Sequence, residues 1–264
     1  MGNVVSLNRE NLPKLLIKIS TVFQSSMLKP KRLSQNLIFK IPMQSKGTIT
    51  QETFNFFKQI EENNNKPWFE NNRPLYEAAK ANFLEFIEGL LPKIRTIDKI
   101  VEKDLKKYAS RIHRDVRFSK NKSPYKNNIS SLIERELDYK KCPFYIHIQP
   151  NGSFIGGGVY QPEPPLLKRV RQEIDYNSSE LHKIIGKQSF KDMFGKITGD
   201  TLIRPPKGYE EDNPNIELLK LKNYIVHKTF TDEEVMSPDF ADKIAEIYWE
   251  ALPFFEFLDN AIEI

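Results

Sequence analysis

The fold is decided by two short runs and the turn between them: Phe144-Tyr-Ile-His-Ile148, Gln149-Pro-Asn-Gly152 and Ser153-Phe-Ile-Gly-Gly-Gly-Val-Tyr160. The first run alternates along its length and is rich in β-branched and aromatic residues, which favour strands. Asn-Gly is typical of the tight turns that join antiparallel strands. The sequence therefore predicts a β-hairpin at this point.

Helices are predicted on both sides of this hairpin, from apolar residues spaced three and four apart. Before the hairpin, a first helix is predicted to begin after the capping residue Thr50 and to end at 63–67. A second helix ends at Pro92, and a third covers 97–105. After the hairpin, helices are predicted over 164–175, 179–185, 189–194 and 237–261, the last of them interrupted near Pro253. A strand is predicted over 223–230, ahead of that last helix. Helices around a mainly antiparallel sheet indicate an α+β fold.

Charge divides the chain of 264 residues into unequal parts. Residues 1–49 hold eight Lys/Arg and one acid. We expect them to form a basic extension, or to result from a mis-assigned start, with Met43 as the alternative start. Residues 50–264 are expected to form a single α+β domain. Apart from one basic segment, that domain holds 26 bases and 33 acids, so it is mildly acidic.

Composition excludes several classes of protein. No run of 18 apolar residues is present, so no membrane is expected as a partner. The single cysteine, Cys142, cannot form an internal disulfide, which is typical of a reducing, cytoplasmic location. The histidines show no ligand spacing, so no metal is expected, and no pattern specifies a cofactor. Dinucleotide-binding, P-loop and hydrolase signatures are absent from the sequence.

The basic segment is Arg111-Ile-His-Arg-Asp-Val-Arg-Phe-Ser-Lys-Asn-Lys-Ser-Pro-Tyr-Lys126, with six cations and one acid. Interpreted as a short strand and a loop, it places Asp115 and Arg117 on one face of the strand. Either these two form an ordinary surface ion pair, or Arg111, Arg114 and the loop lysines converge on an anion. Arg binds carboxylates and phosphates through two parallel hydrogen bonds.

The run Gly156-Gly-Gly158 is the second unusual element. Consecutive glycines weaken a strand and mark a close approach by a backbone, a helix or a ligand. Two interpretations stay open: packing of a helix against the sheet, or the floor of a ligand site near Tyr160.

Candidates for proton transfer are weak. His147 lies in a predicted strand, where an ordinary sheet residue is the simpler interpretation, and Asp200 lies in a turn-rich loop, where it can cap a turn. Trp68-Phe69 can be a stacking platform or part of the core. These residues therefore define no reaction.

Several blocks together resemble the conserved bacterial family catalogued as domain of unknown function 2461. They are Asn64-Asn-Lys-Pro-Trp-Phe69, Arg114-Asp-Val-Arg-Phe-Ser119, Lys122-Ser-Pro-Tyr-Lys126, Tyr145-Ile-His-Ile148 and Gly156-Gly-Gly-Val-Tyr160, with Gly199-Asp200 and Leu218-Leu-Lys-Leu-Lys222. The resemblance covers about residues 50–262. It implies a single α+β domain of cytosolic bacterial proteins and transfers no catalytic role. The polar stretch 127–141 and Gln161 depart from the family's pattern.

Three functions follow as hypotheses. In the first, a phosphate- or carboxylate-bearing small molecule binds in a cleft whose residues are Arg111, Arg114, Arg117, Lys122, Tyr125, Lys126, Tyr145, Gly156, Gly157, Gly158 and Tyr160, with His147 or Asp200 for proton transfer. In the second, the chain is a structural or interaction protein without a catalytic site. In the third, it is a nucleic-acid-binding module in which Trp68 or Tyr125 stacks a base.

Overall fold

A computed structural model describes residues 47–136 and 142–263. The predicted extension therefore lies almost wholly outside the described residues, and the division into domains stays a prediction. Ile49 is buried, and the carbonyl of Thr48 accepts a hydrogen bond from Asn82 Nδ2 at 2.7 Å. Ordered packing thus begins slightly before residue 50.

Four strands form one antiparallel sheet in the order β1-β2-β3-β4. They are β1 (Ile129–Ile133), β2 (Phe144–Ile148), β3 (Ser153–Val159) and β4 (Tyr224–Phe230). The predicted hairpin is confirmed, since β2 pairs antiparallel with β3 across a turn in which Asn151 adopts a φ of 54°. The predicted strand over 223–230 is confirmed as β4.

Helices surround this sheet, which confirms the α+β class. They are α1 (Gln51–Glu62), α2 (Lys66–Asn71), α3 (Arg73–Arg95), α4 (Pro164–Tyr176), α5 (Ser178–Ile185), α6 (Gln188–Phe194), α7 (Ile216–Leu219), α8 (Asp232–Met236) and α9 (Phe240–Glu263). A 3₁₀ turn covers Leu105–Tyr108. The helix predicted over 97–105 is wrong, because Ile100 instead pairs with Arg135 in an isolated β-bridge.

Both prolines that were predicted to interrupt helices lie inside them. Helix α3 continues through Pro92, and α9 continues through Pro253. An internal proline costs about 3 kcal/mol. Leu252 and Phe254, on either side of Pro253, are both buried. Burying two such side chains contributes about 3–6 kcal/mol, enough to offset that cost.

The sheet has an inner and an outer face. Alternate residues of β2, which are Phe144, Ile146 and Ile148, are fully buried and face the core. Helix α9 packs across this inner face, where the Phe144 ring contacts Tyr248 edge-on at 4.9 Å between centroids. Tyr145 and His147 belong to the outer face and are half-buried. The candidate site lies on this outer face, beside β1.

Candidate functional site

The basic segment folds as a short hairpin that leads into β1. Its ends are joined by two main-chain hydrogen bonds, from Arg114 N–H to the Pro124 carbonyl at 2.9 Å and from Lys126 N–H to the Ile112 carbonyl at 2.8 Å. Between them lies a loop over 115–123. The strand expected from Arg114 to Phe118 is wrong, because the Asp115 carboxylate accepts the N–H of Arg117 and forms a turn instead.

Asn64 fixes this hairpin to the helical layer. Its side-chain amide donates to the Tyr125 carbonyl and accepts the Tyr125 N–H, each at 3.0 Å. Phe69 stacks on the Tyr125 ring with 4.2 Å between centroids, and Tyr125 is buried. Tyr125 is therefore a core residue in the structure and does not wall a cleft.

Three predicted cations are engaged inside the loop. Arg117 forms a two-pronged ion pair with Asp115, with Nε–Oδ1 at 2.9 Å and Nη2–Oδ2 at 2.6 Å. This bonding lowers the pKa of Asp115 and raises that of Arg117. Lys122 Nζ donates to the Val116 carbonyl at 2.9 Å, and Arg114 Nη1 lies 3.4 Å from the Ser123 carbonyl. The loop is thus braced by its own side chains.

Lys126 differs from these three. Its side chain is half-buried, and burial lowers the pKa of its ammonium, with the positive charge of Arg111 lowering it further. Among residues 47–136 and 142–263, no carboxylate forms an ion pair with Lys126. The charge of Arg111 thus acts on Lys126, and Lys126 has lost part of its hydration without an acidic partner in the described ranges.

His147 is the neighbour of Lys126 on the outer face. Burial lowers the pKa of His147; the hydrogen bond to Gln149 opposes this shift and the charge of Lys126 adds to it. Nε2 lies 2.9 Å from Gln149 Oε1, and Nδ1 lies 3.2 Å from the Tyr145 hydroxyl. A neutral His147 ring that donates a hydrogen bond from Nε2 to Gln149 can accept a hydrogen bond from the Tyr145 hydroxyl at Nδ1. This arrangement fixes the orientation of the Tyr145 hydroxyl.

We call the side chains of Arg111, Lys126, Tyr145 and His147 the Lys126 site. Tyr145 is hydrogen-bonded to His147, the charge of Lys126 acts on His147, and the charge of Arg111 acts on Lys126. Phe154 stacks on the His147 ring at 4.7 Å between centroids. Phe154 was not predicted, although its cross-strand pairing with His147 follows from the hairpin register.

Other predicted residues lie apart from the Lys126 site. Tyr160 is exposed beyond the far end of β3, while Phe154 and His147 pair near its beginning. Asp200 is exposed beside β4, where its carbonyl accepts the Lys222 N–H at 2.7 Å. Because β3 separates β4 from β2, the structure does not join Asp200 to His147.

Close packing accounts for the three glycines. A Cβ on Gly157 would lie 2.7 Å from Phe255 Cζ of α9, and nearer still to the Pro143 carbonyl oxygen. A Cβ on Gly156 would lie 2.7 Å from the His227 Cα on β4. Gly158 has a φ of +128°, which side-chain-bearing residues rarely adopt. Gly157 supports the helix-packing interpretation, whereas Gly156, opposite Tyr145, still lies on the outer face.

A buried ion cluster lies on the other side of the sheet. Arg135 binds Asp98 through Nε at 2.5 Å and Asp259 through Nη1. Tyr248 donates to Asp98 at 2.8 Å, and the Cys142 N–H donates to Asp259 at 2.8 Å. Burial raises the pKa of the Cys142 thiol well above its usual value, and the Asp259 charge adds to this shift. These residues stabilise the fold and expose no reactive group.

Two further observations concern the described ranges only. None of the helices there is long and apolar enough to cross a membrane. The same ranges hold no group of three or more His, Cys, Asp or Glu side chains that could bind a metal ion.

The sequence profile of the family described as "Conserved hypothetical protein (DUF2461)" matches residues 52–257. The chain belongs to this family. No curated protein and no solved structure matches it. In this DUF2461 chain, the sequence blocks that carried the resemblance contain residues whose contacts determine the fold. Asn64 and Phe69 contact Tyr125, and the glycines of β3 allow close packing by α9 and β4. The stretch 127–141, which departs from the family pattern, contains β1.

Proposed function

We propose that this protein binds a small molecule that carries a carboxylate or phosphate, and that the anion lies at the Lys126 site. The observation that supports the proposal is the half-buried Lys126 ammonium, which has a neighbouring cation and no acidic partner among the described residues. Partial removal from water disfavours the charged form of an ammonium, and a nearby anion offsets this penalty. A bound anion would supply the missing charge.

The other members of the site fit this function. Arg111 is exposed and presents a guanidinium that can bind an anion through two hydrogen bonds. The Tyr145 hydroxyl is held by His147 on the outer face of the sheet, where it can bind a polar group of a ligand. A cytoplasmic location fits a chain whose only cysteine is buried. Of the two predicted candidates for proton transfer, His147 belongs to the Lys126 site and Asp200 does not; Tyr145, hydrogen-bonded to His147, is a further candidate.

A structural or interaction protein is the second candidate, and one observation favours it. Arg117 is engaged by Asp115, as an ordinary surface pair would be, so part of the basic segment needs no ligand. Lys126 has no such internal partner in the described ranges. A substitution of Lys126 therefore distinguishes the anion-binding function from the structural one.

Thermal unfolding in the presence of anions tests the proposal. Inorganic phosphate, pyrophosphate and citrate would be added at constant ionic strength to the native protein, to Lys126→Met and to the control Lys120→Met, which changes an exposed lysine of the same segment. A ligand at about ten times its Kd stabilises by ~1.4 kcal/mol, which raises Tm by about 3–5 °C for a chain of this size. We expect this rise in the native protein and in Lys120→Met.

Lys126→Met should show no such rise in Tm. If none of the three anions stabilises the native protein, the structural alternative is favoured over the proposal. If Lys126→Met responds as strongly as Lys120→Met, the anion binds elsewhere and the proposed site is wrong.

A further inference from the structure

The loop over 115–123 presents one large apolar side chain to solvent. Phe118 is 96% exposed. Isolated exposed apolar residues are common and need no explanation by themselves. Here, however, the loop on both sides of the ring is braced by the Asp115–Arg117 pair, by Lys122 Nζ on the Val116 carbonyl, and by the Ser123 N–H on Asn121 Oδ1 at 2.9 Å. The exposure of Phe118 therefore belongs to a structured loop.

Cations lie near this ring in the chain, and one of them contacts it. The Arg117 guanidinium lies 5.9 Å from the Phe118 ring centroid, and Lys120 is exposed two residues further on. Asp115 is the only acid of the segment and is neutralised by Arg117. Lys126 and Arg111 continue the positive charge toward the sheet, and full extension from Phe118 to Lys126 spans at most about 28 Å. One segment thus offers an exposed aromatic ring and several cations within the reach of a short strand.

Single-stranded nucleic acid has the matching chemistry. Its bases stack on aromatic side chains, and its phosphates pair with Lys and Arg. Of the rings that the sequence offered for stacking, Tyr125 is buried and Trp68 is half-buried, with Phe56 stacked on it at 6.3 Å between centroids, so Phe118 is the most exposed of the three. A bilayer contact fits less well, because Phe118 is the only large apolar side chain exposed in this loop and Ser119, Asn121 and Ser123 around it are polar.

We propose that the hairpin over 111–126 binds a single strand of nucleic acid, with one base on Phe118 and a backbone phosphate at the Lys126 site. The inference rests on the proposed function, because that phosphate is the anion of the Lys126 site. The rest of the domain has more acids than bases, so the footprint is limited to a few nucleotides.

Fluorescence anisotropy with labelled oligo-dT and oligo-U of twelve nucleotides tests this inference. Native protein should bind with an affinity that falls with salt, with a log–log slope of about −2 for about three phosphate contacts. Phe118→Ser should weaken binding about tenfold, since stacking on one aromatic ring has an effect of this order. The control is Ile203→Ser, which removes an equally exposed (96%) apolar side chain in a loop beside β4 and should leave binding unchanged.

The outcomes separate this inference from the proposed function. Absence of oligonucleotide binding, with pyrophosphate still stabilising through Lys126, would overturn the inference and leave the proposed function standing. Equal binding by Phe118→Ser and native protein would overturn it as well. Phe118-dependent binding to phosphatidylglycerol vesicles without oligonucleotide binding would assign the loop to a lipid surface instead. Oligonucleotide binding that needs Phe118 but not Lys126 would support stacking and overturn the Lys126 site.

Discussion

Two groups of charges in this protein have opposite surroundings. Arg135 is buried, with a side chain 3% exposed, and is bonded to Asp98 and Asp259. Lys126 is half-buried beside another cation, and no acidic partner for it lies in the described ranges. A buried charge that is fully bonded holds elements together, here the link before the 3₁₀ turn, the end of β1 and α9. A desolvated charge without a partner retains the capacity to bind an anion.

Removing Arg135 should have the largest effect on stability. Arg135→Met leaves Asp98 and Asp259 without their cation, and breaking a buried pair in this way costs about 3–5 kcal/mol. Urea unfolding would measure the loss. Glu134→Gln is the control, since it removes an exposed pair with Lys103 at 3.1 Å and should cost less than about 1 kcal/mol. Equal losses in the two variants would show that the Arg135 cluster is not a centre of stability.

The hydroxyl of Tyr248 should have an intermediate effect. Tyr248→Phe removes the donor to the Asp98 carboxylate, and a hydrogen bond to a charged group contributes about 1.5–3 kcal/mol. Tyr108→Phe is matched to it, because that hydroxyl donates to the neutral Val101 carbonyl and should contribute about 1 kcal/mol. If urea unfolding shows Tyr108→Phe to be the more damaging change, Asp98 does not depend on Tyr248.

Replacing Lys126 should have the smallest effect on the free energy of unfolding, and it should raise this free energy where the other changes lower it. Without ligand, Lys126→Met should be slightly more stable than the native protein at neutral pH, by no more than about 0.5 kcal/mol, because it removes a partly desolvated cation near Arg111 whose penalty is reduced by solvent screening. Urea unfolding over a pH series would measure the difference. A loss of stability in Lys126→Met would show that Lys126 already has an internal counter-charge.

The pH series adds a second criterion to that comparison. The folded pKa of Lys126 is below its ordinary value of 10.5, so the unfolded chain holds this proton more tightly. The penalty is full below the folded pKa and disappears as the pH rises to 10.5. The difference between Lys126→Met and the native protein should therefore shrink as the medium becomes alkaline, and a constant difference would point to packing as its cause.

Local patterns predicted those parts of the fold whose contacts are close in sequence. The hairpin of β2 and β3 needs only alternation and an Asn-Gly turn. Strand β1 was not predicted, because Ser130 and Ser131 are buried within it and obscure its apolar alternation. The main chain of Ser130 is paired with Ser110, from Ser110 N–H to the Ser130 carbonyl at 2.8 Å and from Ser130 N–H to Ser110 Oγ at 3.2 Å. Such pairing across twenty residues leaves no local signal.

Part of the candidate site was also predictable. Composition and alternation indicated Arg111, Lys126, Tyr145 and His147, yet they could not show which cations the loop would engage for itself. Arg117 is bonded to Asp115 and Lys122 to the Val116 carbonyl, and both outcomes depend on the turn at Asp115. The Arg135 cluster gave no signal at all, since Asp98 and Asp259 are separated by most of the domain.

The double hydrogen bond of Asn64 has a consequence for self-association. The unpaired edge of a β-hairpin is a template on which another chain can add a strand. At Tyr125 both the N–H and the carbonyl are taken by one side-chain amide. Asn64 thus blocks strand addition at Tyr125. The hairpin can still bind a ligand, but a second copy of the chain cannot pair with it at this position.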